Sequence, residues 1–316
     1  MPLFEDLRIF SGNSHPKLAQ DICAYLNIEL GKCEVFKFSN DNTFVGFKEN
    51  IRERDVFLVQ SFCSPVNDNI MELLIMIDAA KRASAGRITA VVPYYAYGRS
   101  DKKDQPRVPI SGRLVANFLE VAGADRVLTL DLHAGQIQGF FNIPVDELTA
   151  FPMLADYFRG INLEKPIVVA TDVGGAKRAR DVAERLGCDL AIIDKRRTGN
   201  NEQAEAMSLI GEVEDHDCII VDDEILTGGT VASAVDLMRA RGARSVYVAC
   251  VHPVFSKKAF EILDNTAIDQ LVFTDSLPLV FGNFHNVNTS KLSMAPLLGD
   301  AIHRIHTGGS VGALFR

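Results

Sequence analysis

The sequence predicts an α/β protein made of two similar domains, each with a mainly parallel sheet flanked by helices. Short apolar runs rich in β-branched residues recur along the chain, and helical patterns separate many of them at intervals of about thirty residues. The chain has 316 residues, of which 47% are hydrophobic, and is long enough to form two compact domains. Each half carries its own series of strands and helices, so we expect two sheets.

The apolar runs that predict strands are short and end at polar or turn-forming residues. They lie at 7–10, 35–38, 56–60, 88–93, 127–131, 167–171, 190–194, 219–222, 246–251 and 271–274. Apolar residues at three- and four-residue spacing predict the helices. We expect helices at 15–26, 67–83, 111–122, 175–186, 229–240 and 293–306, the first of them capped by Ser14.

The chain is predicted to divide near residues 142–151. The first domain would comprise 1–145 together with a C-terminal helix at about 293–316 that packs back onto it, and the second would comprise 146–292. Apolar periodicity lapses in two polar segments, 99–107 (RSDKKDQPR) and 195–206 (KRRTGNNEQAEA). Unstructured loops of this length in compact domains are more often lids than connectors, so we expect lid functions here.

Charge, cysteine usage and hydropathy argue against several classes of function. A formal net charge of −8 without a sustained Lys/Arg tract makes nucleic acid an unexpected partner. The six cysteines are scattered, with no C-x-x-C pair, as in a protein with reduced thiols. Neither a signal-peptide pattern nor an apolar run of the ~20 residues that a membrane helix needs is found in the sequence. We therefore expect a cytoplasmic protein with no membrane partner.

The most informative motif is the segment 221–230, VDDEILTGGT. An apolar run ends in two acids, and a turn with two glycines then leads into a helix. The turn N–H groups and the helix dipole can hold a phosphate, while the acids can accept hydrogen bonds from vicinal sugar hydroxyls. The motif therefore favours a sugar phosphate ligand over an ordinary strand-to-helix turn with solvated acids. Its polar residues and glycines are Asp222, Asp223, Thr227, Gly228, Gly229 and Thr230.

Two other predicted strands also end in acids. Alternation along an extended segment would place Asp131 and His133 on one side, where a carboxylate and an imidazole suit a divalent cation. A single histidine at a strand end is, however, more often a structural hydrogen-bonding group. Asp172 follows the strand at 167–171, at the sheet edge where α/β folds bind ligands. A helix-capping role explains Asp172 equally well.

Common nucleotide-binding motifs are missing from the sequence. It contains neither G-x-x-x-x-G-K-[ST] nor G-x-G-x-x-G after a strand, so any use of ATP would not depend on a P-loop or a dinucleotide fingerprint.

Taken together, these segments resemble the ribose-phosphate pyrophosphokinase family over about residues 7–315. The most specific blocks are NDNIMELLIMIDAAKRASAGRITAVVPYYAYGRSD at 67–101, RVLTLDLHAGQIQGFFNIPVD at 126–146, AIIDKRR at 191–197, and VDDEILTGGT. The resemblance implies two phosphoribosyltransferase-type domains. A plain phosphoribosyltransferase, the other group suggested by the sugar phosphate motif, would have one such domain and would lack the DLHAGQIQGFF block.

The resemblance implies a ribose-phosphate diphosphokinase that serves nucleotide biosynthesis. The C1 hydroxyl of ribose 5-phosphate would attack the β-phosphorus of MgATP, giving phosphoribosyl pyrophosphate and AMP, with Mg²⁺ as cofactor and ATP as co-substrate. The family also implies a homo-oligomer, typically a hexamer of dimers with the ATP site shared between subunits. Inorganic phosphate and ADP are its typical allosteric ligands.

The resemblance further implies roles for individual residues. The ribose 5-phosphate site would be the six residues of the VDDEILTGGT motif named above. The segments that contact ATP would contribute Phe38, Asn40, Asn42, Arg99, Ser100, Asp101 and His133. His133 and Asp172 match the family's Mg²⁺ site. Lys195 and Arg197 would be catalytic cations of a closing loop that offsets negative charge in the transition state.

Three positions depart from the family's pattern. Leu226 stands where an aspartate is common, residues 38–42 read FSNDN where F-S-D-G-E is common, and Gly312 replaces the last serine of a C-terminal S-V-S. Nucleotide choice and regulation by phosphate and ADP therefore stay open. Leu226 favours the alternative of a catalytically silent regulatory subunit, whereas the four retained loop and metal-site residues and the lack of an obvious insertion favour the enzyme.

Overall fold

The computed structural model describes residues 6–197 and 205–315, with the side chains of 195–197, 205–207 and 315 excepted. Its contacts divide the chain into two compact units. The first unit comprises Met1–Thr149, Ser276–Pro278 and Ser293–Arg316, and the second comprises Ala150–Asp275 and Leu279–Leu292. The predicted α/β class is confirmed, because each unit contains a mainly parallel sheet flanked by helices. The predicted boundary of separately folding domains at residue 145 stays a prediction.

A parallel sheet forms the centre of the first unit. The strands of the unit are β1 (Leu7–Ser11), β2 (Cys33–Lys37), β3 (Thr43–Phe47), β4 (Asp55–Val59), β5 (Arg87–Val92), β6 (Arg126–Leu130) and β7 (Val145–Leu148). Its first helices are α1 (Pro16–Leu26), α2 (Val66–Arg82) and α3 (Ser111–Ala122), with a 3₁₀ helix at Gly135–Phe140. The sheet order is β1-β4-β5-β6-β7. All five residues of β4 are buried, as expected for a strand covered on both faces.

The β2 and β3 strands lie outside that sheet and pair with each other as an antiparallel hairpin. The apolar run at 35–38 therefore contributes to a small separate sheet rather than to the parallel one. The sequence analysis did not predict β3, whose five residues include a glycine and are all only half-buried. Two further short elements of this unit, β7 and the 3₁₀ helix, also carry too little apolar periodicity to be predicted.

The second unit repeats the strand–helix alternation. Its strands are β8 (Pro166–Ala170), β9 (Asp189–Arg197), β10 (Glu205–Ile210), β11 (Asp217–Glu224), β12 (Ser245–His252), β13 (Gln270–Thr274) and β14 (Thr289–Leu292). Its helices are α4 (Phe151–Arg159), α5 (Ala176–Leu186), α6 (Gly229–Ala240) and α7 (Lys257–Asp264). The sheet order is β10-β9-β8-β11-β12-β13-β14, and among the described strands of this sheet only β9 and β10 pair in antiparallel fashion.

The expectation of an unstructured loop at 195–206 was wrong at both ends. Residues 195–197 belong to β9 and residues 205–206 to β10, and Arg197 pairs with Glu205 across the hairpin. Backbone hydrogen bonds between the two strands outweigh the polar composition that predicted a loop. The middle of the segment, residues 198–204, lies outside the described residues.

The last helix, α8 (Ala295–Thr307), belongs to the first unit and packs against α1. A buried cluster of charged groups holds its C-terminal turn to the sheet. Arg87 donates from Nε and from its terminal nitrogen to the two oxygens of the fully buried Asp55, at 2.8 and 2.5 Å. His306 Nδ1 lies 2.9 Å from Asp55 Oδ2, and Arg87 also donates to the carbonyl of Ile305. Each charged group is therefore paired, as burial requires.

One helix cap differs from the prediction. Ser14 was expected to cap the first helix, but the N-cap is His15, whose ring nitrogen accepts from the Leu18 N–H at 3.4 Å. Ser14 instead belongs to the turn that precedes the helix, where its N–H donates to Gln60 Oε1 at 3.1 Å. A tertiary contact that sequence spacing does not reveal therefore shifts the helix start by one residue.

Candidate functional site

The candidate site of the second unit lies at the carboxyl edge of its sheet, where β8 and β11 end side by side. These strands are parallel neighbours, and Ala170 pairs with Val221 in the last register position. The next residues of both strands therefore share this edge. Thr171 Oγ1 donates to Asp222 Oδ2 at 3.2 Å, which shows that the two strand ends are in contact. The structure thus brings the Asp172 and Asp222 segments together at the carboxyl edge of the sheet.

Asp222 and Asp223 occupy different environments. The Asp223 side chain is buried and accepts an ion-pair contact of 2.9 Å from Arg178 of α5. Asp222 is half-buried, and its Oδ1 accepts from the Asp223 N–H at 2.9 Å. Burial, together with the nearby carboxyl groups of Asp223 and Asp172, raises the pKa of Asp222 to about 8. Asp222 therefore lies among other carboxyl groups, and Arg178 pairs with Asp223 beside it.

Arg178 is a site residue that the sequence analysis did not assign. The only signal was the excess of Lys and Arg in the helix after Asp172, which includes Lys177 and Arg180. Sequence spacing alone could not show that Arg178 faces Asp223, because the two residues lie on elements that are brought together by the sheet.

The turn at 227–230 connects β11 to α6. Gly228 has a φ of +79° and is the N-cap of α6, and a Cβ there would lie 3.0 Å from Leu263. Glycine is therefore required both for the backbone conformation and for the contact. Because Gly228 has no side chain to cap the helix, the N–H groups of the first turn stay available to a ligand. Thr227 and Thr230 are exposed beside them. This is the geometry of an anion site.

Leu226 precedes this turn and is 42% exposed. Its carbonyl accepts from the Ser256 N–H at 2.8 Å, so its backbone is held in place while its side chain faces solvent. Leu226 therefore presents an apolar side chain at the position where the family commonly has an aspartate, which would add one more carboxylate near Asp222 and Asp223.

Asp172 takes part in the turn before α5. Its Oδ1 accepts from the Gly175 N–H at 2.8 Å, and α5 begins at the next residue with Gly175 as N-cap. Asp172 is therefore not the N-cap of α5, and its Oδ1 instead holds the turn that precedes the helix. The residue is exposed, so the bond does not remove it from contact with a ligand.

The predicted common face of Asp131 and His133 was wrong. Asp131 has a φ of +34°, so the chain is not extended there and alternation does not apply. Asp131 is buried and accepts from Thr149 Oγ1 at 2.7 Å, whereas His133 is exposed. Leu132 between them is held by its N–H to Glu147 at 2.9 Å. Asp131 therefore stabilises the bend that presents His133 at the surface.

The segment from Arg99 to Asp101 borders a cavity of about 240 Å³ in the first unit. Asp101 accepts from the side-chain amide of Gln136, which joins this segment to the 3₁₀ helix after His133. The Ser100 hydroxyl accepts from the Ser111 N–H at 3.1 Å at the start of α3. Two of the predicted ATP-binding segments, residues 99–101 and the one that contains His133, therefore lie next to each other. The cavity is lined by Arg99, Ser100, Lys102, Asp104, Val108 and Pro109.

Residues 38–42 form the turn of the β2–β3 hairpin. The Phe38 N–H donates to the Asn42 carbonyl at 2.9 Å, and the Asn42 N–H donates to Asn40 Oδ1 at 3.3 Å. Asn40 therefore uses its amide oxygen inside the turn. Beside the turn, the Phe36, Phe38 and Phe44 rings lie 4.9–5.9 Å apart, and Phe38 is 50% exposed. An exposed aromatic cluster of this kind is a surface for stacking or for a partner.

The predicted catalytic cations, Lys195 and Arg197, have their backbones in β9. Their side chains lie outside the described residues. Within the described ranges, no group of three or more His, Cys, Asp or Glu residues is arranged to hold a metal ion. His133 belongs to the first unit and Asp172 to the second. Among the helices of the described chain, none is long and apolar enough to span a bilayer.

Comparison with known proteins gives full-length matches. A model of the N-terminal domain of ribose phosphate pyrophosphokinase matches residues 7–123, and a phosphoribosyl transferase domain model matches residues 151–274. A ribose-phosphate pyrophosphokinase of Clostridium perfringens is 51% identical over 99% of this chain and 98% of its own length. One from Ralstonia nicotianae is 50% identical, with 98% of both chains covered.

Solved structures give the same result. The crystal structure of phosphoribosylpyrophosphate synthetase from Mycobacterium smegmatis has a TM-score of 0.91 and 40% identity to this chain. The match covers 96% of this chain and 100% of that one.

The raised pKa of Asp222 predicts how stability depends on pH. Between the ordinary value of 3.8 and about 8, the folded chain retains the Asp222 proton while the unfolded chain releases it, so stability falls as pH rises. The Asp222→Asn variant should lose this slope, which is at most about 1.4 kcal/mol per pH unit. Denaturant unfolding of the ligand-free protein at pH 5 to 8 measures it. Asp78→Asn, at an exposed carboxyl whose pKa Arg82 lowers, is the control. Parallel curves for Asp222→Asn and the parent would contradict the assignment.

Proposed function

This chain belongs to the ribose-phosphate pyrophosphokinase family, and from this premise we propose how its residues carry out the reaction. It is a ribose-phosphate diphosphokinase, an enzyme that forms phosphoribosyl pyrophosphate and AMP from ribose 5-phosphate and ATP in nucleotide biosynthesis. Its relatives carry the enzyme's name over their full length, which favours the enzyme over a silent regulatory subunit. One observation supports our assignment of the site: β8 and β11 end side by side, and their acids lie next to the start of α6, which has no side-chain cap.

Ribose 5-phosphate is proposed to bind with its phosphate in the turn at 227–230. The first-turn N–H groups of α6 and the hydroxyls of Thr227 and Thr230 can donate to the phosphate oxygens. The ribose would extend toward the end of β11, where Asp222 and Asp223 can accept from its 2- and 3-hydroxyls. Arg178 holds Asp223 by its ion pair, so this carboxylate is oriented before the sugar arrives.

A divalent cation suits the charge of this edge. The carboxyl-rich edge formed by Asp172, Asp222 and Asp223 would repel a polyphosphate unless a cation lay between them. Mg²⁺ takes oxygen ligands and few protein groups, and the exposed carboxylate of Asp172 fits that preference. Asp172 and His133 are the residues proposed to hold it. When bound, Mg²⁺ would neutralise charge on the phosphate oxygens of ATP.

ATP is proposed to use two surfaces of the first unit. Arg99 and Ser100 border the cavity of about 240 Å³ and offer a guanidinium and a hydroxyl to phosphate oxygens. The exposed Phe38 and the amides of Asn40 and Asn42 offer a stacking face and hydrogen-bonding groups for a base. We propose that this hairpin completes the ATP site of a neighbouring copy. The homo-oligomer would be a hexamer built from dimers.

The transfer itself consists of one displacement at phosphorus. The C1 hydroxyl oxygen forms a bond to the β-phosphorus, the bond from that phosphorus to the α,β-bridging oxygen breaks, and AMP leaves with the electron pair. The hydroxyl proton is released. Positioning and charge stabilisation supply most of the catalysis in such reactions. Lys195 and Arg197 are proposed to close over the transferring group and offset its negative charge.

Regulation and location complete the proposal. Inorganic phosphate and ADP are the proposed allosteric ligands, with Gly312 in place of a serine as the feature that would weaken their effect. The cytoplasm, where ATP and ribose 5-phosphate are available, is the proposed compartment.

The activity has a direct assay. Purified protein incubated with ribose 5-phosphate, MgATP and phosphate should produce AMP and phosphoribosyl pyrophosphate in equal amounts, measured by chromatography. Ribose without its phosphate should support little turnover, because the turn at 227–230 then has no anion to bind. If no AMP forms under any phosphate concentration, the chain is not an active diphosphokinase and the regulatory alternative gains support.

The loop cations can be tested separately. Lys195→Ala and Arg197→Ala should each lower kcat by about 10²–10³-fold, with a smaller change in KM, because a closing cation acts mainly in the transition state. Lys165→Ala is the matched control, since Lys165 pairs with Asp215 just before β8, at the opposite end of the strand, and should retain the parent kcat. A near-normal kcat in both loop variants would show that these cations are not catalytic.

A further inference from the structure

The first unit contains a structural counterpart of the sugar phosphate site. The strands β1-β4-β5 and β8-β11-β12 have the same order and are all parallel. Asp55 begins β4 and pairs with Leu7 and Arg87, as Asp217 begins β11 and pairs with Pro166 and Ser245. The central strands β4 and β11 therefore share one backbone frame, which means that they have the same position and the same register in their sheets.

This frame identifies equivalent residues at the carboxyl edges of the two sheets. The last register pair is Ser11 with Val59 in the first unit and Ala170 with Val221 in the second. Counting on from these pairs, Gln60 takes the place of Asp222 and Asn13 takes the place of Asp172. The two acids of the second unit thus have amide side chains as counterparts.

A carboxylate from within the unit occupies this counterpart site. Glu72 of α2 is buried, and its Oε1 accepts from the Asn13 N–H at 2.6 Å and from Gln60 Nε2 at 2.7 Å. Its Oε2 accepts from Asn13 Nδ2 at 2.8 Å. Three N–H donors therefore converge on one carboxylate, and no ion pair with Glu72 is found among the described residues. Hydrogen bonds to a charged acceptor are stronger than neutral ones, so neutral donors can hold this charge.

Close packing leaves no room for a second anion in the cradle formed by Gly12, Asn13, Gln60 and Glu72. A Cβ at Gly12 would lie 2.4 Å from Gln60 Oε1 and 2.7 Å from Glu72 Oε1. Gln60 Oε1 also accepts from the Ser14 N–H at 3.1 Å, which fixes the turn between β1 and α1 against the strand. In the second unit, α6 follows β11 as α2 follows β4 in the first. It begins with glycine and threonine, and the side chains that it buries, such as Val235, are apolar.

We propose that this cradle is a carboxylate-binding site that Glu72 occupies in cis, and that its occupation closes the first unit to sugar phosphates. The second unit has acids in place of the amides, and a Thr-Gly-Gly-Thr turn where α2 begins with Pro65 and Val66, and it stays open to ligand. The chain therefore binds one sugar phosphate although it has two equivalent sheet edges.

Chemical rescue tests the occupant directly. Glu72→Ala removes the carboxylate and leaves the buried Gln60 amide and the part-buried N–H groups of Asn13 without this acceptor, so its folding equilibrium constant should fall by about tenfold or more. Formate, a small carboxylate, should restore it in a saturable manner, by about tenfold when formate is at ten times its dissociation constant. Benzoate, which is too large for the space vacated, should not. Denaturant unfolding with each added salt at matched ionic strength gives the comparison.

A matched control separates the cradle from general salt effects. Glu120 of α3 also accepts from one residue's backbone N–H and side-chain amide, those of Asn142 at 2.6 and 2.8 Å, but these donors are exposed to water. Glu120→Ala should therefore show no specific response to formate. Equal responses of the parent, Glu120→Ala and Glu72→Ala would overturn the proposal.

A second variant decides the matter if Glu72→Ala does not fold. Glu72→Gln keeps the volume but replaces one acceptor oxygen by a donor that faces Asn13 or Gln60. A loss of stability of tenfold or more in the folding equilibrium constant supports the carboxylate role, and stability equal to the parent's contradicts it.

Binding stoichiometry tests the closure of the first unit. Titration of the parent protein with ribose 5-phosphate should give one molecule per chain, and a second molecule bound by the first unit would overturn the proposal. This arm alone rests on the proposed function: absence of any binding would count against the sugar phosphate site of the second unit, whereas the formate experiment would still report on Glu72.

Discussion

The parallel register of β8 and β11 is the constraint on which the candidate site depends. Pairing of Ala170 with Val221 makes the two strands end together, so that Asp172 and Asp222 share one edge next to the uncapped start of α6. The edge combines like charges, which disfavour one another, with a helix terminus that favours an anion. A sugar phosphate with a divalent cation satisfies both conditions, since its hydroxyls meet the acids and its phosphate meets the helix.

The two units use one backbone frame for different purposes. In the second unit the frame presents acids and an open glycine turn, whereas in the first unit the same positions carry amides that donate to Glu72. A self-satisfied network of this kind stabilises a fixed turn, because each buried polar group has its partner. Fold similarity alone therefore does not predict function, and the polar groups at the strand ends decide it.

Much of the fold could be predicted from the sequence. The central strands of both sheets are apolar runs, and the β4 and β11 runs were located to within one or two residues because both faces of these strands are buried. β10 and β14 were not predicted: β14 reads TSKL and is polar, and β10 directly follows a polar segment, and both strands lie at an edge of the sheet. The turn at Asp131 was mispredicted because a φ of +34° there depends on the contact with Thr149.

The site was predictable only in part, and one measurement tests it most directly. Adjacent acids and a glycine turn identified Asp222 and the start of α6, but Arg178 and Glu72 act through tertiary contacts that no local spacing reveals. Calorimetric titration of ribose 5-phosphate into the parent and into Asp222→Ala compares the edge with and without its central carboxylate. We expect an affinity loss of about tenfold, the upper end of the value of one lost hydrogen bond. Unchanged affinity would contradict the placement of the sugar at the β8–β11 edge.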